Sequence, residues 1–245
     1  TTVNRSRISL DDKRLLAFVY GQSRYESRII SASVVVVVIL AISGSSYAQP
    51  AYASTFFLGK TVVGSCSGKC ENLVTSSGTA DTGTSQKIGT TIGDYMVKPD
   101  VASSTATGTE STTTPSGFAW VNDNDLGGAT IAAGTWTFDI TTQASAASGT
   151  ARVWIYVWSC TSHSESSCTF LFNIQDASIN ILGTTTATKR TYTSSQSSHS
   201  SIHYLTVEYW IHYTAASSSS TQTVTETTVS AASDVKIPAM TIPLA

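Results

Sequence analysis

The sequence predicts an all-β protein: an antiparallel two-sheet sandwich of jelly-roll type, preceded by an N-terminal hydrophobic helix. Three observations predict this class. Beyond residue 55, apolar and polar residues alternate with a period of two, and no segment sustains a period of 3.6. Turns rich in Gly, Ser, Asn and Asp separate the alternating segments. About ten short strands joined by polar turns are typical of sandwiches and jelly rolls.

Residues 1–48 have the pattern of a secretory leader. Six cations and three carboxylates precede an apolar run at residues 29–42, and small-residue sites follow at Ser46-Tyr47-Ala48 and Ala51-Tyr52-Ala53. The run is shorter than the roughly 20 residues of a spanning helix, which favours a cleaved signal peptide over a retained signal-anchor. We therefore expect the rest of the chain to be secreted or on the cell surface, with membrane contact only through an uncleaved leader.

The alternation also gives the strand positions. Even positions are apolar in 135–140, and in 152–158 the aliphatic residues share one face and the aromatic residues the other. The predicted strands are 55–63, 117–121, 135–140, 152–158, 169–174, 178–182, 187–193, 203–213, 222–230 and 235–242. Residues 75–115 contain few apolar residues and are expected to be loop-rich. The predicted β-domain covers residues 55–245, and residues 49–63 form its N-terminal strand.

The composition excludes one class of partner and suggests another. Beyond the leader, eight cations and thirteen carboxylates give a net charge of −5, and no basic patch is present that would bind nucleic acid. Charged residues make up 12% of the chain, about half the ordinary share. Serine and threonine make up about a third of it, as in O-glycosylated extracellular stretches. We therefore expect covalent glycans.

The four cysteines form two local pairs. Cys66 and Cys70 have three residues between them, and Cys160 and Cys168 end two strand-like runs. Four cysteines allow three pairings, and an oxidising compartment favours disulfides, so we favour 66–70 and 160–168. The alternative is a zinc site built from all four thiolates, although only the first pair has the short spacing of such sites.

The sequence predicts neither an enzyme nor a firm metal site. It contains no Gly-x-Ser-x-Gly elbow, no paired-carboxylate motif and no phosphate loop. Glu208 and His212 share a strand face, but no third ligand is evident for a metal. Asp123 and Asp125 are weak calcium candidates, since Asx turns explain such clusters without an ion. No other cofactor is expected.

An aromatic stripe is the most distinctive local feature. If Val153, Ile155 and Val157 face the core, then Trp154, Tyr156 and Trp158 line the opposite face. Such a stripe suits a subunit contact or stacking on sugar rings, because aromatic side chains are enriched at interfaces. The alternative is that the rings are covered within the domain.

Two resemblances add a hypothesis about function. The run at 132–138, the turn at 148–150 and the strand at 152–158 resemble β-sandwich modules of phage-type fibres and secreted surface proteins, over about residues 117–213. The leader, the Ser/Thr-rich sandwich of low charge and the early apolar strand resemble secreted archaeal filament subunits, including the thread type. In such filaments an end strand of one subunit completes the sheet of the next.

The resemblance implies a structural subunit that polymerises head to tail by β-strand complementation into an extracellular surface filament. An open sheet edge can accept such a strand, and contacts that do not close give filaments. The segment 49–63 is the favoured donor and the tail 235–245 the alternative. The donor side chains are Phe56, Phe57, Leu58, Val62 and Val63. The alternative functions are a secreted or membrane-anchored carbohydrate-binding or adhesive module, and a viral fibre or capsid protein.

Overall fold

The computed structural model describes residues 52–63, 66, 69–75, 84–88, 91–99, 107–215, 222–227 and 233–242. By its internal contacts the chain divides between Ala48 and Gln49, and every described residue belongs to the second unit. The predicted leader and its hydrophobic helix lie outside the described residues and stay predictions. Within the described part, no helix combines the length and apolar character needed to cross a membrane.

The described residues form an all-β fold, which confirms the predicted class. Alternating sequence produces strands because one face of each strand can be buried while the other stays polar. The elements are β1 Tyr52–Val62, β2 Lys69–Val74, β3 Thr84–Ile88, β4 Gly93–Met96, β5 Thr107–Gly108, β6 Phe118–Asn122, β7 Ala129–Ile131, β8 Gly134–Ala144, β9 Thr150–Cys160, β10 Cys168–Gln175, a 3₁₀ helix Ile181–Gly183, β11 Thr188–Gln196, β12 His199–Ile202, β13 Tyr204–Ala215, β14 Gln222–Thr227 and β15 Asp234–Thr241.

Hydrogen bonds join these strands into one large mixed sheet. Its main path runs β10-β9-β13-β6-β2-β1-β15-β8-β14-β3, and the remaining strands pair at its sides. Strands β2 and β6 are parallel, whereas the other pairs in the described residues are antiparallel. The prediction of a purely antiparallel sheet is therefore wrong at the β2–β6 pair. The first and last described strands, β1 and β15, are neighbours.

The sheet curves so that strands far apart along this path pack on each other. Trp136 of β8 contacts Phe172 of β10 edge to face, with 5.0 Å between the ring centroids. Phe138 lies 6.3 Å from the same ring. The aliphatic face of β9, which includes Ile155, and that of β13, which includes Val207, are buried in the same core. This core gives β9 and β13 a fixed inner face and defines their outer face, on which the candidate site lies.

Most predicted strands are present within a few residues of their expected bounds, with two exceptions. Residues 178–182 were expected to form a strand, but Asn180 caps the 3₁₀ helix instead. Its Oδ1 accepts hydrogen bonds from the backbone N–H groups of Leu182 and Ala151, both at 3.1 Å. Residues 75–115 were expected to be loop-rich, yet they contain the short strands β3, β4 and β5.

The proposed donor strand is part of its own sheet. Strand β1 pairs with β2 on one side and β15 on the other, with Phe56 opposite Val235 and Leu58 opposite Leu73. Phe56 and Leu58 are buried there. The alternative donor, the tail, contributes β15, which pairs with β1, β7 and β8. The donor role of Phe56, Phe57, Leu58, Val62 and Val63 is therefore wrong, because donating either strand would open the sheet at its middle.

Candidate functional site

The outer face of β9 and β13 carries a second layer of side chains. The register places Tyr156 opposite Glu208, Trp154 opposite Trp210 and Arg152 opposite His212. Tyr156, Trp158 and Trp210 are buried, with Phe170 and Met96 packed against them. The expected aromatic stripe therefore exists, but Tyr156 and Trp158 form a small second core. Their use as an exposed interface or sugar platform is wrong because neighbouring side chains cover both rings.

Trp154 is half-buried and has a different environment. Its ring stacks on the imidazole of His212, with 3.8 Å between the centroids and 14° between the planes. The stacking restricts rotation of the imidazole, so the indole fixes the direction in which the ring nitrogens of His212 point. His212 is thus held in place before any ligand binds.

His212 belongs to a cluster with two carboxylates. Asp94 lies opposite His212 in the β4–β13 register, and its Oδ1 is 2.5 Å from His212 Nδ1. Glu110 follows β5, which pairs with β4. One ligand atom from each of the three residues lies within 4.8 Å of the others. Three segments distant in sequence therefore converge at one point on the outer face.

The two carboxyl groups of the cluster interact with each other through charge and through a side-chain hydrogen bond between Glu110 and Asp94. Burial raises the pKa of Glu110, its own backbone N–H offsets part of that rise, and the charge of Asp94 raises the pKa further. Glu110 Oε1 is buried and makes no hydrogen bond. Asp94 and His212 have side chains that are 23% and 26% exposed, so a small ion can reach them from solvent. Imidazole nitrogen combined with carboxylate oxygen suits Zn²⁺ and other first-row divalent metals.

Glu208, on the same strand face, has a structural role. Its Oε1 accepts hydrogen bonds from Ser116 through the backbone N–H at 2.5 Å and the hydroxyl at 2.6 Å. Its Oε2 accepts the Trp158 indole N–H at 3.1 Å. Burial raises the pKa of Glu208, and these hydrogen bonds offset part of the rise. Glu208 holds the segment before β6 against β13, and its oxygens are occupied.

Glu165 is another residue whose carboxyl oxygens are buried. It lies in the turn between β9 and β10 with φ of 54°, which residues with a Cβ rarely adopt. Burial and the nearby charge of Glu208 raise its pKa to about 8, although the Gly117 N–H lowers it in part. One of its carboxyl oxygens and the sulfur atoms of Cys66 and Cys70 lie within 4.8 Å of one another.

The structure forms the two disulfides that the spacing favoured, Cys66–Cys70 and Cys160–Cys168. The second joins the paired ends of β9 and β10. A site of four thiolates is therefore wrong, since no described cysteine is free.

The two calcium candidates, Asp123 and Asp125, form hydrogen bonds with different partners. Asp125 Oδ1 accepts from the Gly127 N–H at 2.7 Å and lies 2.8 Å from His203 Nδ1, whereas Asp123 Oδ2 accepts from Asn72 Nδ2 at 3.2 Å. These contacts are those of an Asx turn and a loop anchor. Neither aspartate belongs to a group of three close ligands in the described residues.

Sequence reasoning considered His212 together with Glu208 but predicted no metal site there, and it did not single out Asp94 or Glu110. Glu208 and His212 do share a strand face, as predicted, but the Glu208 carboxylate accepts hydrogen bonds from Ser116. The neighbours of His212 in the cluster, Asp94 and Glu110, come from the region that was expected to be loop-rich. Asp94 lies in Gly93–Met96, next to the buried Tyr95. A strand of four residues is too short for alternation to distinguish it from a loop.

Comparisons with known proteins gave structural matches alone. No family model and no curated protein matches this sequence. An aminopeptidase from the marine sediment archaeon Thaumarchaeota archaeon matches with a TM-score of 0.48 and 9% identity, over 79% of this chain and 37% of that one. An α-amino acid ester hydrolase matches with a TM-score of 0.46 and 10% identity, over 76% and 36%. The chain thus spans less than two fifths of the length of either structure.

Both matched proteins are hydrolases by their titles. With TM-scores below 0.5, these matches carry no argument about the activity of this chain, and the predicted filament subunit and the predicted absence of enzymatic activity are not retained. The internal pairing of β1 removes the donor-strand mechanism separately. At this level of identity and TM-score, no catalytic residue or substrate is carried over to the present chain.

Proposed function

We propose that this chain is an exported β-domain that binds a divalent transition-metal ion, with Zn²⁺ as the reference case, through Asp94, Glu110 and His212. The observation that carries the proposal is the convergence of these three ligand atoms within 4.8 Å. In this proposal the strands form a two-layer sandwich of jelly-roll type, a view supported by the packing of β8 on β10. The basic and apolar leader and the two disulfides support export.

Two features of the cluster support the proposed ligand set. A bound cation would satisfy the buried Oε1 of Glu110 and would offset the repulsion between Glu110 and Asp94. It would also account for the stacking of Trp154 on His212, since metal-binding imidazoles are held by neighbouring groups. Three protein ligands leave a coordination position for water or a small ligand.

Titration calorimetry of the chelator-treated, oxidised protein with Zn²⁺ tests the proposal. We expect one ion per chain, with at least about 100-fold weaker binding in His212→Ala and about tenfold or greater weakening in Glu110→Gln. His203→Ala is the matched control, because His203 also pairs with an aspartate but lies outside the cluster. Equal affinity in the wild type and in His212→Ala would overturn the proposal, as would the absence of binding to the wild type.

A further inference from the structure

The structure assigns a second role to the first cysteine pair. We propose that the reduced thiols of Cys66 and Cys70, together with Glu165, bind a thiophilic divalent metal ion such as Zn²⁺, and that the Cys66–Cys70 disulfide closes this site. The site shares no residue with the Asp94–Glu110–His212 cluster, so it does not rest on the proposed function.

The geometry of the three side chains fits such an ion. Both sulfur atoms and one carboxyl oxygen of Glu165 lie within 4.8 Å of one another, and the Cα atoms of the cysteines are 5.9 Å apart. In a tetrahedral zinc site with Zn–S distances of about 2.3 Å, the two sulfurs are about 3.8 Å apart. Rotation of the cysteine side chains can produce that separation after reduction, without movement of the strands. The three-residue spacing also lies within the range of structural zinc sites.

Glu165 provides a second and independent observation. Both of its carboxyl oxygens are buried, the backbone N–H of Gly117 offsets only part of the resulting rise in its pKa, and its backbone has φ of 54°. A buried carboxyl group without strong partners is unfavourable, and its placement beside another acid, Glu208, adds repulsion when both are ionised. A cation held by the two thiolates would supply a counter-charge for this buried carboxyl group.

The disulfide and the metal exclude each other because both use the same two sulfur atoms. A thiol reductant transfers two electrons and two protons to Cys66 and Cys70 and is itself converted to a disulfide. Metal binding then displaces the two thiol protons into solvent, since the thiolate is the ligand. Re-oxidation by a small disulfide, which takes two electrons from the two thiolates and two protons from solvent, releases the metal and two molecules of thiol. The oxidised form described here is therefore the closed state of the site.

The other cysteine pair provides the matched control. Cys160 and Cys168 join the facing ends of β9 and β10 and belong to no group of three close ligands in the described residues. Reduction opens both disulfides, but only the first pair has a carboxyl group beside it. If the thiolate–metal absorption is lost when one cysteine pair is replaced and is kept when the other is replaced, the first pair belongs to the site.

The test uses Co²⁺ as a spectroscopic substitute for Zn²⁺ and a phosphine as reductant, which leaves as the phosphine oxide after taking an oxygen atom from water. We expect the reduced full chain to develop thiolate-to-cobalt charge-transfer absorption, which Zn²⁺ removes and which the oxidised chain lacks. The Asp94–Glu110–His212 cluster contains no sulfur and cannot produce this band. Cys160→Ser/Cys168→Ser should keep the absorption, and Cys66→Ser/Cys70→Ser should lose it. Glu165→Gln should weaken Co²⁺ binding at least about tenfold.

Circular dichroism of each reduced variant shows whether it is folded. If Cys66→Ser/Cys70→Ser fails to fold, Glu165→Gln, which keeps both cysteines, still decides the matter. The proposal is overturned if the reduced wild type shows no thiolate–cobalt absorption. It is equally overturned if Glu165→Gln binds Co²⁺ as tightly as the wild type, or if the absorption follows Cys160 and Cys168.

Discussion

Asp139 shows how a buried charge is accommodated among hydroxyl side chains. Its carboxyl group accepts hydrogen bonds from Lys236 Nζ at 2.5 Å and Thr191 Oγ1 at 2.6 Å, and Lys189 Nζ lies 3.0 Å away. Burial opposes ionisation of this group, but the hydrogen bonds from Lys236, Thr191 and Lys189 outweigh it and lower the pKa to about 2. The carboxylate therefore joins β8, β11 and β15 by charge as well as by backbone pairing.

We predict that Asp139→Asn reduces acid sensitivity while it lowers stability at neutral pH. Because the pKa falls from 3.8 to about 2 on folding, the unfolded state binds more protons between these values. The stabilisation is thus complete above pH 3.8 and is lost as the pH falls toward 2. Asp139→Asn should therefore lower the free energy of unfolding by about 1 to 2 kcal/mol at pH 7, a figure reduced for solvent screening at the half-exposed lysines.

Urea unfolding at several pH values between 2 and 7 measures this effect. The variant should show a smaller loss of stability than the wild type between pH 4 and 2. Asp123→Asn, at an exposed position, is the control and should follow the wild type. A parallel pH dependence in Asp139→Asn and the wild type would contradict the prediction.

At the scale of single elements, Gly59 determines how closely β1 approaches β2. A Cβ at this position would lie 2.0 Å from Asn72 Oδ1 and 2.9 Å from the Asn72 carbonyl oxygen. Asn72 cannot move freely, because its side chain accepts from the Thr61 N–H at 3.1 Å and donates to Asp123 at 3.2 Å. The carbonyl of Gly59 also accepts the Trp120 indole N–H at 3.3 Å.

We predict that Gly59→Ala destabilises the protein by about 1 to 3 kcal/mol, the usual cost of overpacking. The sign of this change in unfolding free energy is informative. Without the close contact, alanine in a strand would be favoured over glycine by roughly 0.5 to 1 kcal/mol. Equilibrium denaturation measures the difference. Gly183→Ala is the control, since a Cβ there has no neighbour closer than 4.0 Å, and its stability should stay within about 0.5 kcal/mol of the wild type. A Gly59→Ala protein as stable as the wild type would show that the contact relaxes without cost.

The elements that could be predicted from sequence are those with a long alternating pattern. Strands β8, β9 and β13 each have about a dozen residues, and a one-residue error would move a whole set of aliphatic side chains out of the core. Strands β4 and β5 are too short to show alternation; β4 is positioned by pairing with β13, and β5 by pairing with β4. Asp94 and Glu110 reach His212 through that pairing, so local sequence contained no signal that they meet.

At the scale of the whole molecule, β15 joins the two halves of the sheet path. Val235 is fully buried and lies opposite Phe56 of β1 on one side and Phe138 of β8 on the other. Alternation correctly predicted a strand here. It could not show which strands β15 pairs with, and the donor-strand hypothesis failed for the same reason. Pairing between strands far apart in sequence is a property of topology, and local pattern does not determine it.

We predict that Val235→Asp destabilises the entire fold by about 3 kcal/mol or more, because it buries an unpaired carboxylate between β1 and β8. Loss of dispersion in the amide and indole NMR spectrum, together with a lower thermal midpoint, would measure the effect. Thr241→Asp places the same charge at an exposed position of the same strand and should be tolerated. A Val235→Asp protein that unfolds at the wild-type midpoint would mean that β15 is not required for the fold.

The neighbouring positions of β1 and β15 have a consequence for biosynthesis. A ribosome finishes β1 long before it makes β15, so the nascent chain carries β1 with one unsatisfied edge until β15 is synthesised. Strand edges of this kind recruit other chains, and intermediates that expose them are prone to aggregate. Chaperone binding to the growing polypeptide is therefore expected to centre on β1 and to weaken once β15 has emerged.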